Sequence, residues 1–402
     1  MTAVAEAPAR EGARLWVPLS LVFLSVGLSM AMMFPFRALF LTDAVHAGPL
    51  LVTVFLIVAP VSGVVAASWI GRWSDTGPYR SRLIVAAALA GVVGSGLSAF
   101  VRNYWVLLFV TATAIAVSTA ALPQLFAYAR VVVGGGDRGT FSVSVLRTLM
   151  SASWVAGPLV AAILIEVGGY TLIFSVAAAI FAAVALLTHF GLPEPRGGAP
   201  AASEHPETPA EAPPIPAAGP VDVSEGSLRL NVVALVLIQT AATLSVQLLP
   251  LFVNADLNGD VRDTGFILGL CAFLEIPLIL AFGALAARAG VRRLFLIGPL
   301  VSALYLGTVA LSAGTGQVAL AQLLNASGIA LIQGIGITYF QDLLPSRPGR
   351  ASTLFSNAFP IGSTLAAPLL GIAQQVGYRF GFVAAAVLSL AGLALLVTRR
   401  TR

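Results

Sequence analysis

Apolar residues in this chain fall in long continuous runs, not in alternating ones. The run LIVAAALAGVVGSGLSAF (83–100) contains only two serines among its apolar and small residues. About 20 predominantly apolar residues cross a bilayer as a helix. Twelve stretches reach that length: 15–41, 49–70, 82–101, 104–130, 140–165, 170–191, 229–254, 263–287, 292–312, 317–343, 350–375 and 378–398. Continuous runs exclude a transmembrane barrel, whose strands alternate. The predicted class is an all-α membrane protein with 12 transmembrane helices.

The pattern breaks once, at 192–228. LPEPRGGAPAASEHPETPAEAPPIPAAGP (192–220) is rich in Pro, Ala and Glu and has no apolar face to bury, so a disordered cytoplasmic linker is expected. The predicted organisation is a cytoplasmic tail (1–14), a six-helix bundle (15–191), the linker (192–228), a second six-helix bundle (229–398) and a short cytoplasmic tail (399–402). The two halves look like copies. GRWSDTGPYRSR (71–82) follows the second span and GALAARAGVRR (283–293) follows its counterpart. AGPLVAAIL (156–164) matches AAPLLGIAQ (366–374), which sets Arg147 opposite Asn357. Parallel six-span repeats joined by a long loop describe a two-domain transporter with its site at the repeat interface.

Composition agrees with this class. The chain of 402 residues is 58% hydrophobic and 10% charged, against about 25% charged in soluble proteins. Mean hydropathy is +0.94. All 22 basic residues are arginine, and net charge is +5. With the N-terminus cytoplasmic, 17 arginines fall on the cytoplasmic side and three outside: Arg102, Arg262 and Arg379. That bias obeys the positive-inside rule and places both termini in the cytoplasm. The basic balance is thus a topology signal and does not point to nucleic acid. Residues 1–14 are polar and short, and the first span is too long for a signal peptide. Cys271 is the sole cysteine, which excludes an intramolecular disulfide. His46, His189 and His205 have no metal-ligand spacing, and no phosphate loop or nucleophile elbow occurs. Neither an enzyme nor a metal or cofactor is expected.

Two charges interrupt the apolar spans: Arg147 in FSVSVLRTLMSASWVAGP (141–158) and Glu275 in GLCAFLEIPLIL (269–280). Each costs about 2.5–3.5 kcal/mol at the bilayer centre on insertion scales. Such residues are kept where they face a polar cavity, each other or a substrate. A transporter is the leading reading.

Six plus six spans, with a basic loop motif after the second, resemble the major facilitator superfamily. That motif reads G-x-x-x-D-[RK]-x-G-[RK]-[RK]. Gly71 and Asp75 fit it, Thr76 replaces the first basic residue, and Arg80 and Arg82 are displaced by one or two positions. The second copy keeps Gly283, Arg288, Gly290, Arg292 and Arg293, with Ala287 where the acid belongs. ALPQLFAYAR (121–130), FSVSVLR…WVAGP (141–158), FLEIP (273–277) and YFQDLLPSRPGRASTLFSN (339–357) are similar to the bacterial sugar efflux transporters. The resemblance implies the major facilitator fold, with two pseudo-symmetric bundles. It implies export of sugars or glycosides by proton antiport through alternating access, from a monomer in the bacterial cytoplasmic membrane. Spans 1, 4, 7 and 10 would surround the cavity, and spans 2, 5, 8 and 11 would line the contact between halves. Spans 3, 6, 9 and 12 would pack outside.

In that fold, Arg147 and Glu275 face each other at depths differing by ~6 Å at ~1.5 Å per residue. They are expected to pair or to hold substrate together, and protonation of Glu275 would favour the other facing state. The alternative is a static pair joining the halves. Sugar recognition needs amides and carboxylates for hydroxyls, and aromatics for C–H faces. Gln124, Gln239, Gln247, Asn325, Gln333 and Asn357 supply amides on cavity or interface spans. Gln239 and Gln247 are eight residues apart on roughly one face, as are Asn325 and Gln333. Each could equally be interhelical glue. Trp154 is a stacking candidate or a packed core residue. Arg37, after Phe34-Pro35-Phe36, snorkels to the interface or lines the external mouth. Gly71, Asp75, Arg80, Arg82, Arg130 and Asp342 lie at cytoplasmic ends, where an inner gate is expected. Two other readings compete. A multidrug exporter would favour an aromatic, acidic cavity. A non-transporting membrane sensor would carry a folded cytoplasmic domain.

Overall fold

The computed structural model describes residues 7–76, 79–133, 137–194 and 222–398; side chains at 7–14, 75, 76, 130, 133, 137–144 and 147 lie outside that description. Among the described residues there are helices and no strands.

The first crossing is α1 (Ala7–Met33) continued by α2 (Arg37–Asp43). They are separated at Phe34–Phe36, where Pro35 lacks the N–H that a continuous helix needs. Next come α3 (Pro49–Thr76) and α4 (Arg80–Phe100). The fourth crossing is α5 (Tyr104–Val110), a π-helical turn (Thr111–Ile115), α6 (Ala116–Thr119) and α7 (Ala121–Val133). The Asn103 side chain caps α5 by accepting from the N–H groups of Trp105 and Val106.

The fifth and sixth crossings follow directly on one another as α8 (Asp137–Gly191), which is broken at Gly168–Gly169. Gly169 has φ +62°, a conformation that glycine adopts without strain. The chain reverses there: Leu146 and Leu192, on opposite sides of the break, share one cluster with Leu19 and Ile84.

The second bundle is α9 (Glu225–Asp256), α10 (Val261–Ala289), α11 (Val291–Leu311), α12 (Thr315–Leu343), α13 (Pro348–Val376) and α14 (Tyr378–Thr398). Counting α1 with α2, and α8 as two, gives the twelve expected crossings. The α9 helix starts at Glu225, one turn ahead of the expected 229, because Ser224 caps it through the Ser227 N–H. A reciprocal capping box between Asp260 and Asp263 opens α10.

Two apolar clusters each belong to a single bundle. One gathers Phe23, Leu125 and Tyr128 of the first bundle, the other Phe295, Phe340 and Phe355 of the second. Both lie at the end where the linker attaches. The third merges the bundles at the opposite end, packing Phe36, Phe40 and Phe55 with Leu248, Phe252 and Leu370. Contacts across the interface lie at that far end. A Cβ on Gly265 of α10 would fall 2.5 Å from the Ala162 Cβ of α8. Arg262 and Glu166 form an ion pair between the same two helices. Towards the linker, a Cβ on Gly71 or Gly283 would meet nothing within 4 Å. The bundles are therefore closed at the far end and parted at the linker end.

Candidate functional site

The break at Pro35 directs Phe34 to the place where the bundles part. Its ring centroid lies 6.1 Å from Trp154 of α8, edge-on, and 6.0 Å from Phe359 of α13. One aromatic group thus spans both bundles. Asn357 and Phe359 are exposed. Glu275 is the middle residue of the 29 in α10, half-buried. It forms no hydrogen bond or ion pair with another described side chain. The side chain of Arg147 lies outside the described residues, and so does the expected pair. Arg37 is half-buried at the start of α2, also without a partner among the described residues.

A small pocket, with a cavity volume of about 40 Å³, lies within the second bundle, between α9, α11 and α12. Gln239, Ser245, Ser302, Tyr305, Asn325 and Gln333 supply its polar lining. Gln322 donates to the Tyr305 hydroxyl at 3.3 Å, and Asn325 donates to the Gln322 carbonyl at 2.9 Å. Tyr305 also hydrogen-bonds Ser245. Gln333 donates to Gln239 at 3.5 Å, at the limit of a hydrogen bond. Ala242 and Gln333 are exposed although both sit in mid-helix, which marks the mouth. Beside it, a Cβ on Gly334 would lie 3.4 Å from Ile279 of α10, one turn past Glu275. Cys271, one turn before Glu275, is buried.

Three of the expected amides, Gln239, Asn325 and Gln333, therefore converge on one pocket. Gln124 and Gln247 do not join it. Both are buried, and their Oε1 atoms meet no donor among the described residues.

The expected gate residues make their described contacts within a bundle. Arg80 donates to the Ala127 carbonyl at 3.2 Å. Arg82 approaches Glu194 at 3.9 Å, and the Glu194 carboxylate accepts from the backbone N–H groups of Ser81 and Arg82 at 3.1 and 2.9 Å. Gly71 is half-buried and Asp342 exposed, while the side chains of Asp75 and Arg130 lie outside the described residues. A second tie holds the far side of the linker. Asp222 accepts from the backbone N–H and hydroxyl of Ser346, and Glu225 takes a double hydrogen bond from Arg350 at 2.9 and 3.2 Å. The Ser346 bonds, helped by Arg347 and Arg350, hold the Asp222 carboxyl below the usual carboxylate range.

Sequence reasoning missed Phe34, Phe359, Ser302, Tyr305 and Gln322 as site residues. Only Gln322 carried a signal, lying one turn before Asn325 on the same helix.

The family model of the Major Facilitator Superfamily matches residues 19–245 and again 232–402. The chain belongs to that superfamily. It is 32% identical over 376 residues to sugar efflux transporter A of Escherichia coli K12, covering 93% of each chain. It is 33% identical over 353 residues to sugar efflux transporter B of Salmonella typhimurium, covering 87% of this chain and 86% of that one. These relatives bear out the resemblance noted in its motifs. The fold matches a mutant of the nucleoside transporter NupG with TM-score 0.77 at 12% identity, over 96% of this chain and 99% of that one. This superfamily member is a multi-pass membrane protein.

Proposed function

We propose that this protein exports sugars or glycosides across the bacterial cytoplasmic membrane by proton antiport through alternating access. Both termini lie in the cytoplasm, so the parted linker end is the cytoplasmic mouth. The observation that carries the reading is the convergence of amides and hydroxyls among apolar side chains in the pocket, with no charged side chain. Neutral donors and acceptors match the hydroxyls of an uncharged sugar. Trp154, with Phe34 and Phe359, stacks on the sugar's C–H face, while Asn357 and Gln333 contact hydroxyls from the parted surfaces. Glu275 carries the proton, and Arg147 stabilises its charged form. Arg82, Asp342 and their neighbours belong to the inner gate. The names of the E. coli and Salmonella relatives support the substrate class.

Counterflow of labelled lactose or methyl glucoside in proteoliposomes tests the substrate without requiring a proton gradient or a known direction. Accumulation above the passive level is expected. A second reading, export of hydrophobic cations, draws on the same aromatic group and on Glu275. Movement of a cationic dye with no sugar counterflow would favour it.

A further inference from the structure

We propose that Arg102 and Arg379 are positioning residues for transport. Each guanidinium clamps the outer tip of a cavity helix, α2 or α9, to its own bundle and so holds the far end closed. This rests on the alternating-access reading above and names residues that keep its outer gate shut.

Arg102 follows α4. It donates to the carbonyls of Ser98, Ala99 and Val101 and to the Thr171 hydroxyl, at 2.9, 2.9, 2.8 and 3.0 Å. Its guanidinium carbon lies 5.5 Å from the centre of the Phe40 ring of α2. One group thus joins α4, α8 and α2. Arg379, in the first turn of α14, donates to the Ala310 carbonyl at the end of α11 at 2.7 Å. Its guanidinium carbon lies 5.4 Å from the centre of the Phe252 ring of α9. Both cations sit at the negative C-terminal end of a helix, α4 or α11.

The two halves reach this arrangement by different routes. Helices α4 and α11 both have 21 residues, so Ala99 matches Ala310 and Arg102 matches Ala313. GYTLIF (169–174) matches GYRFGF (377–382), and each begins on a glycine of positive φ. Thr171 therefore matches Arg379, and Phe174 matches Phe382. Phe40 meets Phe174 edge-on at 4.7 Å, and Phe252 meets Phe382 edge-on at 5.1 Å. Carbonyl, ring pair and guanidinium recur in both halves. The arginine comes from the loop after α4 in one and from the start of α14 in the other. A residue inherited for packing alone would keep one chain position in both copies. What the halves share is the place of the guanidinium.

That place bears on closure. All four phenylalanines belong to the cluster that merges the bundles at the far end. On each cavity helix a proline precedes the clamped ring: Pro35 before Phe40, and Pro250 before Phe252. Each proline removes a backbone N–H, so the outer tip is weakly tied to the rest of its own helix. The guanidinium supplies another tie, by stacking on the ring and bonding the neighbouring helices.

The test is labelling by a membrane-impermeant maleimide added outside right-side-out membrane vesicles. The full chain carries Cys271→Ser and Val52→Cys, the latter at a fully buried position of the same cluster. Arg102→Ala and Arg379→Ala should each raise the labelling rate about five-fold or more. Adding Thr171→Arg to Arg102→Ala supplies the guanidinium as the second half does and should restore the parent rate. Adding Thr171→Lys, which returns the charge without the planar fork, should not. Labelling at the parent rate in both alanine variants overturns the clamp, and so does a rise that Thr171→Arg leaves in place. If Arg102→Ala does not fold, a folded and closed double variant with Thr171→Arg supports the clamp, and failure of both overturns it. Labelling needs no sugar and no proton gradient. A chain that moves no sugar therefore overturns the exporter reading without deciding the labelling result.

Discussion

Gly371 of α13 lies directly against Thr53 of α3, across the interface between the bundles. A Cβ on the glycine would fall 2.1 Å from the threonine Oγ1, and the same hydroxyl reaches the Ala367 carbonyl at 3.4 Å. The far end of the molecule is closed by backbone-to-side-chain contact of this kind, so small volume changes there act on the closure itself.

Gly371→Ala should therefore open the far end. Overpacking of a tight contact costs about 1–3 kcal/mol, here charged to the closed arrangement alone. In a Cys271→Ser background, Val52→Cys lies fully buried in the shared far-end cluster. Its labelling by a membrane-impermeant maleimide should rise when Gly371→Ala is added. Equal labelling with and without the alanine would show that this contact does not govern closure.

Glu166 and Arg262 join the bundles at the same end, and both are well exposed. An exposed pair contributes about 0–1 kcal/mol, so Glu166→Gln should leave thermal stability almost unchanged. Under the proposed alternating access, the equilibrium between facing states is more sensitive. Glu166→Arg should slow transport by repulsion from Arg262, and adding Arg262→Glu should restore it. A double variant as slow as the single one would assign the defect to something other than the pair.

Gln247 offers a different check. Its carbonyl oxygen is buried in the closed far end without a described donor, and an unmet buried acceptor costs about 1–3 kcal/mol. Gln247→Leu should raise the melting temperature in detergent while lowering transport, because the amide is useful only when the far end opens. A lower melting temperature would mean that the amide is satisfied in the closed state.

The twelve crossings were legible because lipid imposes a blunt requirement, continuous apolar length, that needs no tertiary knowledge. The convergence of Gln239, Asn325 and Gln333 was partly legible for a related reason: polar groups in apolar helices are costly, so their spacing carries information. The same spacing was misleading for Gln247. Two turns along one face of α9 it shares the orientation of Gln239, but the closure of the far end buries it. Ser302 and Tyr305 were not legible at all. A lone serine or tyrosine in a span is a commonplace, and only the recess beside α12 distinguishes these two. Glu194 and Asp222 sat in a segment read by composition as linker, and their partners on α4 and before α13 are far away in sequence.

Asp222 also sets a pH dependence. Its carboxyl titrates below its ordinary value because Ser346 bonds the charged form. The tie is therefore present at neutral pH, above the unfolded value of about 3.9, and is lost as pH falls through the lower folded value. Hydrogen exchange at residues 344–350 should accelerate in Asp222→Asn at neutral pH, matching the parent chain only in strong acid. Equal exchange at neutral pH would show that Ser346 is held by other contacts.

The most direct test of the central claim is uptake of labelled lactose into inverted membrane vesicles, with and without an imposed gradient, acidic inside. The proposed mechanism predicts uptake that rises with the gradient and loses that response in Glu275→Gln. Lactose uptake driven equally well by the gradient in Glu275→Gln would contradict it.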